Sequence, residues 1–538
     1  MKRKTRLLTP VWGGVALLGA LAATLAGCGV PAGGGVSPMP QQRMMAAGAP
    51  PALAQALPPP SRMRQEEREN YKEVEDNPIK QVSAEPVSTF SIDVDTASYA
   101  NMRRLLKQGG RLPADAIRIE ELINYFSYDY PKPDSAAKPL AVSAKSYPSP
   151  WNPKTRLLHI GVQGYAIDAA QRPAANLVFL LDVSGSMGDV DKLDLAKKSF
   201  EFLVKALRAE DRVAIIAYSD ETTTILEPTP GDQGQKILNA LAPLRAEGST
   251  NGSAGLQMAY ALARQNFDPA KVNRVLIATD GDFNFGVTRG KTLEEQVADE
   301  RKSGVYLSVL GFGGGNYNDE LMQRLAQKGN GVALYVDSLI EAHKIYGADL
   351  FANLFPIAND VKIQVEFNPA QVAEYRLIGF ETRQLRREDF QNDQVDAGEV
   401  GSGHRVTALY EYVPVTSDFR YMQPLRYAPK AKAAASSDVS REIAHVRLRY
   451  KLPGQPSSQL LTRPVGPADA LEKFEQAPAD MRFAAAVAGF GQLLRRSPHL
   501  HGFDFAAVRA IASAAKGDDP FGYRAEFINL IPLAERLR

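Results

Sequence analysis

Cysteine is nearly missing from this 538-residue chain: Cys28 stands alone, so no intrachain disulfide framework can staple the fold. Long apolar runs are scarce as well. Past residue 27, no stretch approaches the ~18 apolar residues needed to span a bilayer. Neither sign of charge dominates, with 63 Lys and Arg against 61 Asp and Glu. Losing Lys2, Arg3, Lys4 and Arg6 with a leader leaves 59 against 61, a net charge of −2. That excludes the basic footprint of a nucleic-acid or acidic-lipid binder. No G-x-x-x-x-G-K-[ST] occurs, and Gly311-Phe-Gly313-Gly-Gly315 is spaced G-x-G-x-G rather than G-x-G-x-x-G, so nucleotide binding has no support. Histidine is sparse too, at six. His159, His343, His404 and His445 are scattered and build no Ser-His-Asp order. His499-x-His501 has no third ligand and reads as a surface pair. At this length one core does not suffice, and roughly three or four domains are predicted.

The lone cysteine takes its meaning from its position. Met1–Arg6 is positively charged and Val11–Leu25 is apolar, the two parts of a leader. Leu25-Ala26-Gly27-Cys28 then resembles a bacterial lipobox. The resemblance implies that residues 1–27 are a lipoprotein signal peptide and that Cys28 is diacylated on sulfur and heads the mature chain. Gly29 stands where inner-membrane lipoproteins carry aspartate, so an outer-membrane address in the bacterial envelope is favoured, on its periplasmic face or its surface. Residues 28–85 read as a disordered tether. Gly29–Arg62 is rich in Gly, Ala, Pro, Met and Gln and nearly uncharged, and cannot support a core.

The chain is organised around Ala174–Met187. Leu177-Val-Phe-Leu-Leu181 is an apolar run suited to one buried strand of a parallel sheet. It breaks into Asp182-Val-Ser184-Gly-Ser186, with three oxygen ligands on alternate positions. A carboxylate and two hydroxyls at the carboxyl end of a buried strand suit a hard divalent cation. This D-x-S-x-S pattern resembles the metal ion-dependent adhesion site of von Willebrand factor type A domains. The family's two further elements are also present, Gly248-Ser249-Thr250-Asn251 before a helix and Val275–Thr279 running into Asp280-Gly281. The resemblance implies that Ser184, Ser186 and Thr250 bind the ion through hydroxyls, with Asp182 and Asp280 direct or through water. Mg²⁺ suits this hydroxyl-rich octahedral set best; Mn²⁺ also fits, and Ca²⁺ asks for more carboxylate or carbonyl ligands. Asp282, Phe283, Asn284 and Phe285 follow on the same face and are either a partner-contact rim or loop core.

Around this centre, residues 174–352 alternate strand and helix in the α/β manner and predict a doubly wound, Rossmann-like von Willebrand factor A domain. Strand-like sequence at 140–173 and again at 353–465 brackets it, which predicts that the α/β unit is inserted into a β-sandwich. Residues 466–538 turn helical. Residues 86–139 hold a short strand, two helices and Asp93-x-Asp95. That pair lacks the threonine of an aspartyl phosphatase and reads as a helix cap or an inter-module pin. The strings FSIDVDTASYANMRRLL, LPADAIRIEELINYFSYDYP, DMRFAAAVAGFGQLLR and DDPFGYRAEFINLIPLA resemble the N- and C-terminal modules of YfbK-type von Willebrand factor A lipoproteins. The functional expectation is a lipid-anchored, non-enzymatic binder of a protein partner that offers Asp or Glu to the metal. The alternatives are an envelope scaffold whose metal is structural, and a metal-assisted hydrolase using Asp282 or Asp220 as base.

Overall fold

Three sheets and two sets of helices organise the computed structural model, which describes residues 69–281, 292–423 and 441–537. Cys28 and the 282–285 rim lie outside the described residues. The strand predicted at Leu177–Leu181 is β5 (Ala175–Asp182), and all eight of its residues are buried. It lies in a six-stranded sheet ordered β10-β9-β8-β5-β6-β7. The neighbours of β5, namely β6 (Arg212–Tyr218) and β8 (Val272–Thr279), run parallel to it. Further out, β9 (Val305–Phe312) and β10 (Ala333–Val336) are also parallel, whereas β7 (Thr222–Pro230) is antiparallel to β6.

Alternate side chains of β5 enter two different cores, which is why the run is continuously apolar. Leu177, Phe179 and Leu181 pack with Leu195 and Phe200 of α3 (Leu193–Ala206). Val178 and Leu180 pack on the other face with Leu256 and Tyr260 of α5 (Gly252–Gln265). Burying each such side chain contributes about 1.5–3 kcal/mol. The strand order reverses between β5 and β8, so the two ends carrying Asp182 and Asp280 flank the switch point where open α/β sheets place their ligands.

The bracketing strands do form a sandwich. One sheet is ordered β1-β12-β14-β4-β3, with β1 (Lys80–Gln81), β3 (Leu140–Pro148) and β4 (Arg156–Gly164) from before the α/β unit joined to β14 (Arg405–Pro414) and β12 (Val372–Ile378) from after it. Opposite lies β11 (Pro356–Phe367), paired with β2 (Val87–Ser91), β13 (Gly398–Gly401) and β15 (Ala444–Lys451), which in turn pairs with β16 (Ser458–Val465). Ile160 and Tyr410 of the first sheet share a core with Ile363 and Leu448 of the second. The chain leaves the sandwich at Gly164 and re-enters it at Pro356, so both ends of the α/β unit are held.

Helices from the two ends of the described chain share a third core. Here α1 (Ala97–Gln108) and α2 (Ile119–Asn124) join α10 (Ala479–Leu494), α11 (Phe505–Ala514) and α12 (Tyr523–Arg536) over Leu157 and Leu409 of the sandwich. The first of these helices is two-faced: Tyr99, Met102 and Leu106 enter the helical core, while Ala97 and Ala100 enter the α/β core. Arg103, with no exposed surface, joins the layers. It donates to Asp337 (2.7 Å) and Glu341 (2.7 Å) of the α/β unit and to Glu526 (2.9 Å) of α12.

Candidate metal centre

At the end of β5 the chain turns by bonding to itself. The Ser184 N–H and hydroxyl both donate to Asp182 Oδ1, at 3.0 and 2.6 Å, and Ser184 Oγ lies 3.1 Å from Ser186 Oγ. Such side-chain-to-backbone bonding two residues on is the characteristic Asp turn. The other oxygen of Asp182 accepts from the Tyr218 and Thr279 hydroxyls, each at 3.0 Å. Asp182 is fully buried, and desolvation pushes its carboxyl up to about 6; the Ser184 hydrogen bonds oppose the rise and the charge of Asp280 adds to it.

The threonine loop docks directly on this turn. Gly185 N–H donates to Gly248 O (2.9 Å), Glu247 N–H to Val183 O (2.8 Å), and Asn251 N–H to Ser219 O (3.0 Å). Gly248 has φ +80°, and a Cβ there would collide with the Asp220 carboxylate, so the position accepts only glycine without strain. Thr250 is half-buried two residues before α5. Asp280 follows β8, is fully buried, and accepts from Lys192 Nζ and Asn316 Nδ2, both at 3.0 Å.

Four of the five predicted ligands, Asp182, Ser184, Ser186 and Asp280, thus join one hydrogen-bonded group, linked through Lys192 to the Ser186 carbonyl (3.0 Å). The fifth, Thr250, sits on the loop held against their turn. These donors fit a small cation. Two buried carboxylates and two hydroxyls form an all-oxygen donor set, the chemistry a hard divalent cation takes. Sequence reasoning passed over Lys192 and Asn316. Asn316 follows the glycine loop noted above for its failed nucleotide spacing. There Gly313, at φ +63°, leaves room for the Lys192 stem, and Gly315 N–H donates to Glu69 (2.8 Å).

Other candidates are resolved by their partners. Asp220 is exposed and accepts from the Ser249 N–H (3.0 Å) and hydroxyl, which hold its carboxyl below the usual carboxylate range and make it a poor general base. Asp93, Asp95 and Glu121 bring ligand atoms within 4.8 Å of one another. Arg383 bridges the first two, at 2.8 and 2.9 Å, and Arg118 pairs with Glu121. Asp95 also accepts from Ala333 N–H of β10 (2.8 Å), so this pair pins the N-terminal segment to its neighbours. The Thr96 N-cap of α1 makes no side-chain capping bond. His499 and His501 pack against Tyr421, with ring centroids 5.5 and 5.8 Å away. No helix among the described residues is long and apolar enough to cross a membrane.

Known proteins resemble this chain segment by segment. Residues 176–348 match the von Willebrand factor type A domain, residues 65–159 the family described as von Willebrand factor, and residues 352–537 the family described as Uncharacterized protein YfbK, C-terminal. "Uncharacterized protein YfbK" of Escherichia coli (strain K12) is 45% identical over 472 residues, 86% of this chain and 81% of that protein. Human inter-alpha-trypsin inhibitor heavy chain H3 is 26% identical over 174 residues, 30% of this chain and 19% of its own. A solved von Willebrand factor type A protein from Catenulispora acidiphila covers 73% of this chain and 89% of its own at 12% identity, with a TM-score of 0.39. Von Willebrand factor type A domains commonly mediate metal-dependent protein interactions. The chain belongs to the YfbK family and carries a von Willebrand factor type A domain inserted in a β-sandwich.

Proposed function

We propose that the chain is a lipoprotein of the bacterial envelope, tethered through Cys28 to the outer membrane, that captures a protein partner through a divalent cation. Asp182, Ser184, Ser186, Thr250 and Asp280 hold the ion, and an Asp or Glu of the partner completes its shell. The observation that carries the reading is the convergence of the Asp182–Ser186 turn, the Thr250 loop and Asp280 at the switch point of the sheet. Two carboxylates with neutral hydroxyls leave coordination positions for water or an incoming oxygen. The hydroxyl-rich oxygen set favours Mg²⁺, and Mn²⁺ serves as its spectroscopic stand-in. Of the two candidate bases for a hydrolase, Asp220 is committed to Ser249, and Asp282 lies outside the described residues.

The test is capture from envelope extracts by the full chain in Mg²⁺ and in EDTA, beside Asp182→Ala. Wild type is expected to retain partners only with the cation, and the folded variant to retain none. Equal capture by the variant, or capture that survives EDTA, removes this reading and moves binding to the flanking layers, with the metal structural. Cys28→Ala is expected to move the chain from the membrane to the soluble fraction.

A further inference from the structure

The most unusual group at the centre is a buried ammonium. Lys192 directly precedes α3 and is 4% exposed. Its three hydrogens meet three acceptors: Ser186 O at 3.0 Å, Asp280 Oδ2 at 3.0 Å and Asn316 Oδ1 at 3.1 Å. These acceptors belong to the metal-binding turn, the end of β8 and the β9–α7 loop (α7, Asp319–Lys328). Gly313 makes room for the stem, so the side chain is built into the site. Asp189, the other acid near the ammonium, is 3.9 Å away and exposed.

We infer that Lys192 is a built-in counter-ion of the metal centre, a positioning residue that holds Asp280 and makes the cation and its anionic ligand bind interdependently. The inference rests on the metal-dependent reading above. Asp182 receives only hydroxyl and N–H donors among the described residues, whereas Asp280 has Lys192. Lys192 therefore cancels one of the unit charges these carboxylates offer a divalent ion, and leaves the ion-loaded centre more positive by one unit. The ion alone is held less tightly than two uncompensated carboxylates would hold it, and an incoming carboxylate is drawn more strongly than to a neutral centre. Binding of each then raises the affinity for the other by the same factor. The lysine also holds the Asp280 carboxylate in place in the cation-free protein.

The experiment titrates the full chain with Mn²⁺, alone and with a polyglutamate peptide as the carboxylate probe. Wild type is expected to bind Mn²⁺ about tenfold more tightly when the peptide is present. Lys192→Met is expected to bind Mn²⁺ alone about tenfold more tightly than wild type and to lose most of the peptide's effect. Its cation-free melting temperature falls and returns on adding Mn²⁺. Lys192→Arg keeps the charge and the wild-type pattern of affinities. Unchanged or weaker Mn²⁺ binding by folded Lys192→Met overturns the inference. So does a wild-type Mn²⁺ affinity that ignores the peptide, a measurement that does not depend on the variant folding. If wild type and Asp182→Ala alike bind no Mn²⁺, the metal reading itself has failed.

Discussion

Two groups of buried carboxylates lie in this molecule, and what neutralises each one separates them. Among the described residues, Asp182 and Asp280, at the end of the α/β sheet, are met by hydroxyls, the Ser184 N–H, an amide and a lysine. Asp93, Asp95 and Glu121, where the N-terminal segment meets the sandwich and the α/β unit, are met by two guanidinium groups. Arg383 spans both aspartates, and Arg118 pairs with Glu121 and donates twice to Asp319, at 2.6 and 2.9 Å. Backbone N–H groups of Asp95, Ala333 and Ser98 take further oxygens. A guanidinium is planar, always charged and holds several donors in fixed directions, so it closes a carboxylate cluster for good. Hydroxyls donate to a carboxylate or turn their lone pairs to a metal, and so leave the first group able to change occupant. Closeness of carboxylates does not make a metal site; the exchangeability of their partners does.

The largest expected effect comes from opening the closed cluster. Arg383→Met strands Asp93 and Asp95 and should cost about 3–5 kcal/mol, read by denaturant unfolding. With the first centre disabled by Asp182→Ala, adding Ca²⁺ should then raise the melting temperature of this double variant and leave the Asp182→Ala single variant unmoved. Failure of Ca²⁺ to rescue would mean that geometry, not arginine, keeps the cluster closed, and the comparison would break there.

Next in size is a pH effect beside the closed cluster, where the rise is larger than the one at Asp182. Glu120 adjoins it, fully buried, and its carboxylate makes no hydrogen bond of ordinary geometry. Burial, then Glu381 and Asp93, push it up to about 7 from 4.5. Because the folded value lies above the unfolded one, the stability linked to this proton is present below about 4.5 and is lost as pH rises through about 7. The loss is on the order of 3 kcal/mol. Glu120→Gln should flatten that part of the stability–pH curve, and a slope unchanged in the variant assigns the protons elsewhere, Glu121 first.

How much of this was legible in the chain follows from the range of each interaction. The β5 run showed because both its faces are buried, and Asp182, Ser184 and Ser186 showed because one turn sets their spacing. Thr250 and Asp280 each follow their own local pattern. The sandwich insertion showed because strand-like sequence brackets the α/β unit, but the bounds of β16 inside it did not: it is an edge strand with Leu460 exposed and Pro464 near its end, and its polar face blurs the alternation. Lys192 was invisible because its role depends on Gly313 and Asn316, more than a hundred residues on, which bring the ammonium to Asp280. Arg118–Asp319 and Arg383–Asp93 likewise join distant segments, and no local period reports them. Helical spacing in α1 was readable; that its small Ala97 and Ala100 face a second core was not.

The smallest effect tests whether the open centre is made of lightly held parts. Ser249 anchors the threonine loop by donating its N–H and hydroxyl to Asp220 at the surface. Ser249→Ala removes the hydroxyl anchor and keeps the N–H and the Gly248 turn. Exposed substitutions of this kind shift stability by only about 0.5 kcal/mol, so the melting temperature should hold and Mn²⁺ affinity should fall by about twofold. A tenfold loss would show that the Thr250 loop, rather than the Asp182–Asp280 pair, governs the ion. The open centre would then depend on a surface hydroxyl as heavily as the closed cluster depends on its arginines, and the contrast between them would no longer be one of exchangeable against fixed partners.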